Sequence, residues 1–305
     1  MDIPHAWLLT YGENVHEQEE LILRKQAFPN HTLIPATEFF QKVSPRDVPF
    51  DRNIVIGDLR AMARICRLLY LPVPEQDYPP LYPHYGFERR IERLPLPTFL
   101  ASLPLVATET TPRFFVKPVQ HKYRPPFSAS TLSEVPVEYL FCEATEEELA
   151  NGARLEEVYV QTHVSFRLEF RGFLVDGKFL EFRPYGRFYE SMSPDMNRWF
   201  GFDHQGNARP SLFQAKAVQA VEEYYPKGAH IVDFGYLSDA GEPVIVEVNE
   251  PYAFGAYGCS PETLRSVLLT HWGTLVPHWR SLVLAEGAPA GWSTLDFLKE
   301  MENPP

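Results

Sequence analysis

The chain has 305 residues, 45% hydrophobic and 14% aromatic, ample material for a packed core in one large domain or two ordinary ones. A formal net charge of -12 argues against DNA or RNA as partner unless basic residues cluster locally, so any bound anion needs a local site. Three cysteines without a CxxC pair, and no basic leader or apolar run of about eighteen residues, give the expectations of a cytoplasmic, reducing location, no structural zinc and no membrane span.

The first seventy or so residues alternate strand-like runs ("AWLLTY", "HTLIPA", "NIVIGD") with helix-like ones ("VHEQEELILRKQA", "LRAMARICRLLYL"), which predicts a small α/β unit. Five prolines between Pro72 and Pro83 then exclude a helix or central strand and predict a wrapping connector. "RFFVKPV" is a β-branched, aromatic strand opening a second domain near residue 106. The loop "HKYRPPFSASTLSEVP" leads to a strand "VEYLFCEA" and a helix whose Thr145 and Glu148 make a capping box, so the acidic run "EATEEE" is a solvated helix start. "VYVQTHV" is a further strand. Asp176-Gly177 between two strand-like runs predicts a hairpin. "SLFQAKAVQAVEEYY" predicts a helix with Ser211 as cap, "HIVDFGYLSDAGEPVIVEVNE" a second hairpin, and "SPETLRSVLLTHWGTLV" a helix with Ser260 and Pro261 at its cap and first turn.

In the second hairpin a five-residue loop, Ser238 to Glu242, sets Leu237 opposite Pro243 and therefore Asp233 opposite Glu247. Alternation adds Asn249 to that face and turns Val246 and Val248 to the core. Two like charges roughly 5 Å apart repel, and a divalent cation with hard oxygen ligands would offset this; two carboxylates and an amide oxygen suit Mg²⁺. A half-exposed strand with outward polar residues accounts for the same pattern without a metal. A metal held this way usually holds a nucleotide, which needs cations for its phosphates. Lys117 ends an apolar strand, where it either snorkels or meets an anion, and Lys122 and Arg124 follow in a loop suited to cover phosphates. Arg171 and Arg183 lie in "LEFRGF" and "LEFRPY"; their forks match phosphate or acyl phosphate oxygens, or pair with Glu169 and Glu181. Simple alternation places these arginines on opposite faces, so a bulge is needed for both to reach one ligand. Gln161, Thr162, His163 and Val164, at the end of "VYVQTHV", could offer a backbone edge to an adenine, although a plain interdomain strand explains the segment equally well.

In content, order and spacing, "FFVKP", "VYVQTHV", "EFRGFLVDGK", "EFRPYGR", "IVDFGYL" and "VIVEVNEPY" resemble the ATP-grasp superfamily over about residues 106 to 260. The resemblance is closest to the branch marked by two arginines and a lysine, with a pattern overlap with tubulin tyrosine ligase. It implies a mixed α+β and α/β architecture: an accessory N-terminal α/β (pre-ATP-grasp) domain over residues 1–105, then an ATP-grasp domain over 106–305 whose antiparallel-sheet lobes, about 106–162 and 163–285, clasp the nucleotide ahead of a C-terminal tail. It further implies that Lys117 and Lys122 contact the nucleotide, that Gln161 to Val164 form the adenine hinge, and that Arg171 and Arg183 hold the γ-phosphate and acyl phosphate. Asp233, Glu247 and Asn249 would bind Mg²⁺.

The function expected from this set is an ATP- and Mg²⁺-dependent carboxylate-amine ligase acting on small-molecule or peptide substrates, with Tyr252, Tyr257 and Gly258 of "EPYAFGAYGCS" as substrate contacts. An ATP-grasp kinase, or a nucleotide-binding interaction module without turnover, would keep the same nucleotide residues.

Overall fold

The computed structural model describes residues 5–10, 15–42, 53–58, 61–62, 65, 91–95, 98–99, 114–118, 127–129, 157–164, 166, 168–184, 212–237, 242–249, 251 and 254–285; the strand and capped helix expected over 137–151, the proline connector, Lys122, Arg124, Tyr252 and Ser211 lie outside the described residues. The described residues form three sheets.

The N-terminal sheet joins β1 (His5–Thr10), β2 (His31–Pro35) and β3 (Asn53–Ile56) in parallel, with β1 central. β1 and β3 are short, largely buried runs, as parallel strands covered by helices require, whereas the edge strand β2 buries only Ile34. Helix α1 (Val15–Ala27) makes the crossover from β1 to β2, and α2 (Ala36–Lys42) follows β2. The three strands and α1 fall where the apolar pattern put them, α2 is an addition to it, and most of the second helix-like run, 59–71, lies outside the described residues.

The second sheet is antiparallel: β4 (Ile91–Pro95), β7 (Glu157–Thr162), β5 (Phe114–Pro118) and β6 (Phe127–Ala129) in that spatial order. β4 precedes residue 106, where the second domain was expected to open, yet it pairs with β7 along its length, with Arg93 opposite Tyr159. Two charges among the five residues of "IERLP" hide it from a hydrophobicity pattern. None of its side chains is fully buried, which suits an edge strand, and Arg93 donates to Glu157 across the sheet.

The third sheet, also antiparallel, runs β11 (Val244–Asn249), β10 (Ala229–Tyr236), β8 (Leu168–Val175), β9 (Lys178–Pro184). The Asp176-Gly177 turn forms, with both residues at positive φ. One face of this sheet is apolar: Phe170, Leu174, Phe179, Phe182, Val232, Phe234, Ile245 and Val248 pack with Val218 and Val221 of helix α3 (Lys216–Tyr224). That helix is shorter than expected. A 3₁₀ turn, Leu212–Gln214, precedes it, and Ala215 caps it without a side-chain bond, so Ser211 is not its cap. The opposite face divides along the strands. Phe173, Ala229 and Ile231 share one buried cluster with the N-terminal sheet and with Leu264, Val267 and Trp272 of α4 (Pro261–Ala285). Ser260 caps α4, accepting the Thr263 N–H at 3.1 Å. Arg265 Nε donates to the Ala27 carbonyl at 2.5 Å and ties α4 to α1. Apolar packing therefore fixes the third sheet against the N-terminal unit on the face that also carries the charged residues described next.

Candidate active site

Two hairpins build a single charged row. Asp233 on β10 pairs with Glu247 on one side and Arg171 on the other, and Arg171 pairs with Arg183. Directly opposed residues share a face and strands are spaced about 4.8 Å, so the row Glu247, Asp233, Arg171, Arg183 crosses the sheet in roughly 14 Å.

Each end of the row depends on a bulge. In the β8–β9 hairpin the register shifts beside Phe173 and Leu174: Phe173 faces Glu181, while Leu174 faces Phe179. Leu180 is left over, and Arg183 moves to the face of Arg171, as the sequence argument required. The same shift brings Phe179 and Phe182 onto the other face, stacked at 4.9 Å between centroids. Gly172 makes room for them, since a Cβ there would lie 2.6 Å from Phe179 and 2.8 Å from Phe182. In the β10–β11 hairpin Asp233 faces Glu247 as counted, but Phe234 faces Ile245. Val246 is the extra residue. The core side of β11 is therefore Ile245 and Val248 rather than the Val246 and Val248 that alternation predicted, and the tip pairing ends one residue out of the expected register, at Gly235 and Val244.

The acids of the row meet cations. Arg171 donates Nε to Asp233 Oδ1 and Nη2 to Asp233 Oδ2, both at 2.8 Å, with the side chains 3% and 1% exposed. Such a two-pronged, charge-assisted pair is strong and directional. Lys117, reaching over from β5 in the second sheet, donates to Glu247 Oε2 at 2.7 Å, and Asn249 Nδ2 donates to Glu247 Oε1 at 3.0 Å. The repulsion expected between Asp233 and Glu247 is thus offset by Arg171 and Lys117 from neighbouring elements. Arg183 pairs with Glu181 on its own strand, the alternative read from the sequence, whereas Arg171 takes Asp233 as a partner.

The segment after β11 closes over the row. Arg171 Nη1 donates to the Gly255 carbonyl at 3.1 Å, and the Tyr257 ring lies 4.9 Å from the guanidinium carbon. This cation–π contact covers the face of a buried arginine. Gly258, at φ 72, is exposed and adjoins Tyr257, which itself has φ 46. Cys259 is buried beneath them; burial, then the Glu181 carboxylate, pushes its thiol up to about 12 and keeps it protonated.

On the second sheet, Lys117 faces Tyr159 and Phe115 faces Gln161, so Lys117 and the buried Gln161 share one face. Thr162 ends β7, and half-buried His163 and Val164 follow it toward β8. The structure thus brings together Lys117, Arg171, Arg183, Asp233, Glu247, Asn249 and Tyr257, with Gln161 on the same face as Lys117. Glu181, which holds Arg183, was visible two positions away on one strand. Glu20, which holds Ala256 N–H at 3.0 Å from α1, carried no sequence signal.

Two carboxylates and an amide oxygen on adjacent strands suit Mg²⁺. Among the described residues no group of three His, Cys, Asp or Glu side chains gathers to hold a metal ion. Both carboxylates of the set already meet Lys117, Asn249 or Arg171, so a divalent ion would share or replace those contacts. The donor types fit that exchange, because phosphate oxygens attract the same lysine and arginine.

Residues 88–267, more than half of the chain, match the model of an ATP-grasp domain, family 2 of the clade named for two arginines and a lysine. The chain belongs to that family, and so to the ATP-grasp enzymes its ordered motifs resemble. The match begins just before β4, in keeping with that strand's place in the second sheet. Among solved structures the chain is similar to a D-alanine–D-alanine ligase from Bacillus anthracis complexed with ATP (13% identity, 93% of this chain and 100% of that one, TM-score 0.43). It is also similar to an L-amino acid ligase from Bacillus licheniformis (12%, 88% and 75%, TM-score 0.48) and to a RimK domain ATP-grasp protein from Sphaerobacter thermophilus (15%, 87% and 99%, TM-score 0.43). No curated protein matches the chain. Among the described residues no helix is long and apolar enough to cross a membrane.

Proposed function

We propose that this chain is an ATP- and Mg²⁺-dependent carboxylate-amine ligase that joins a small-molecule or peptide carboxylate to an amine. The observation that carries the reading is the row Glu247, Asp233, Arg171, Arg183 facing Lys117, in a chain of ATP-grasp membership. It sets acids able to take a metal beside cations able to take phosphate, on rigid strands.

In this reading a carboxylate oxygen of the first substrate attacks the γ-phosphorus of ATP, the bond to the ADP oxygen breaks, and an acyl phosphate forms. The amine nitrogen then attacks the acyl carbon, the carbon–oxygen bond to phosphate breaks, and the nitrogen loses a proton as the amide forms. Lys117, with Lys122, binds the nucleotide phosphates; Gln161 to Val164 receive the adenine. Arg171 and Arg183 lie along the path of the transferred phosphoryl group and oppose the charge that develops on it, the larger part of catalysis in such transfers. Asp233, Glu247 and Asn249 would hold Mg²⁺, which when bound supplies further neutralisation of phosphate charge. Tyr257 and Gly258, with Tyr252, line the acceptor side, and the N-terminal unit frames it.

A screen of acid and amine pairs for ADP release, with products read by mass spectrometry, tests the proposal. ADP release that requires both an acid and an amine, and is abolished in Lys117→Met, is expected. Release with a hydroxyl acceptor alone would make the protein a phosphotransferase, and Mg-ATP binding without release in any pool would make it a binding module.

A further inference from the structure

Resting on the ligase reading, we infer that Glu20, on α1 of the N-terminal unit, is a positioning residue: it holds the segment 254–260 so that Tyr257 and the Gly255 carbonyl fix Arg171 within the charged row.

The segment is tied to both arginines. It meets Arg171 through the Gly255 carbonyl at 3.1 Å and through the Tyr257 ring at 4.9 Å. It meets Arg183 through Glu181, whose Oε2 accepts the Ser260 N–H at 2.9 Å while Oε1 pairs with the guanidinium. The conformation it needs is unfavourable by itself. Tyr257 has φ 46, a left-handed backbone that a bulky side chain rarely adopts, and its ring edge lies 3.0 to 3.2 Å from where a Cβ on Gly255 would be. Such a residue persists where its surroundings over-determine it.

Glu20 supplies that constraint next to the strained residue. Its Oε1 accepts the Ala256 N–H at 3.0 Å across 236 positions of sequence, and its Oε2 accepts from Arg24 at 2.9 Å one helical turn on. The Arg24 pair fixes the Glu20 rotamer. The Arg265 bond to Ala27 holds α1 against α4, and the Cys259 N–H bond to the Ala256 carbonyl at 3.0 Å closes the turn that carries Tyr257. The N-terminal unit therefore sets the height of Tyr257 above Arg171, and through it the placement of a group proposed to meet the transferred phosphoryl.

The test compares Glu20→Ala, Glu20→Asp and Glu20→Gln in the full chain. Aspartate keeps the charge but withdraws the oxygen by one methylene; glutamine keeps an acceptor at the same reach. Hydrogen exchange of the peptide covering 254–260 is expected to rise at least about tenfold in the alanine and aspartate variants, with the global melting transition retained, and to stay near wild type in glutamine. In the acceptor assay kcat is expected to fall by about tenfold or more in the first two variants with KM for ATP unchanged, because small misplacements of positioned groups are costly. Unchanged exchange in both Ala and Asp variants, or raised exchange with unchanged kcat, overturns the inference. If the alanine variant fails to fold, the aspartate and glutamine pair decides. A wild-type chain that releases no ADP overturns the ligase reading alone, and exchange then still decides whether Glu20 holds the segment.

Discussion

Replacing Asp233 with alanine removes the two carboxylate oxygens that accept from a guanidinium only 3% exposed. Two charge-assisted hydrogen bonds are worth about 1.5 to 3 kcal/mol each, and breaking a buried pair from one side typically costs about 3 to 5 kcal/mol. The two routes agree, so Asp233→Ala should lose roughly 3 to 5 kcal/mol of stability. Arg171→Met combined with Asp233→Leu leaves no uncompensated charge and should lose far less than the sum of the single changes, although it removes activity. Urea denaturation of wild type, both single variants and the double variant, at constant m, gives the coupling energy directly. A loss below about 1 kcal/mol for Asp233→Ala, or strict additivity, would show that water reaches the pair and refute the reasoning.

Gly172→Ala puts a methyl against two stacked phenylalanines and should cost about 1 to 3 kcal/mol, read as a lower melting temperature; an unchanged transition would mean that the Phe179–Phe182 stack is loose. Burial, with His230 nearby, lowers His271 to about 4 from 6.5, so the unfolded chain binds a proton that the folded chain refuses between these values. Stability is therefore full above about pH 6.5 and falls as pH drops toward 4, by on the order of 3 kcal/mol, and His271→Leu should flatten urea midpoints compared at pH 7 and 5. With its thiol buried and pushed up to about 12, Cys259 should resist alkylation at pH 8 in the folded protein and react fully in denaturant, as peptide mass mapping would show.

Much of this architecture is local in the sequence and was legible there. The N-terminal strands and α1 follow from apolar runs separated by a helical period, and the Asp176-Gly177 turn from its dipeptide. The Asp233–Glu247 pairing follows from the two strands of one hairpin. What escaped is long-range or masked by charge. Lys117 and Glu247 are 130 positions apart, and Glu20 and Ala256 are 236 apart, so nothing in either segment announces the contact. β4 is a short edge strand with adjacent charges, Glu92 and Arg93, and its sequence carries no strand signal. Ser211 satisfied the pattern of a helix cap, but a 3₁₀ turn interposes before the helix begins at Lys216.

The two bulges explain why strict alternation is a poor guide at this site and why the site is nonetheless well specified. Without the extra residue at Leu180, a two-residue turn at Asp176-Gly177 and simple counting would place Arg183 among Phe170, Leu174 and Phe234, where a lone guanidinium has no acceptor and a large desolvation cost. With it, Phe179 and Phe182 enter that core three positions apart, and Arg183 emerges beside Arg171. Val246 does the same for β11, sending Ile245 and Val248 inward while Glu247 and Asn249 face the row. The aromatic core therefore enforces the bulged registers, since a slip by one residue would expose phenylalanines and bury charge together. The free energy that packs one face of the sheet thereby selects the register that aligns two acids and two arginines on the other.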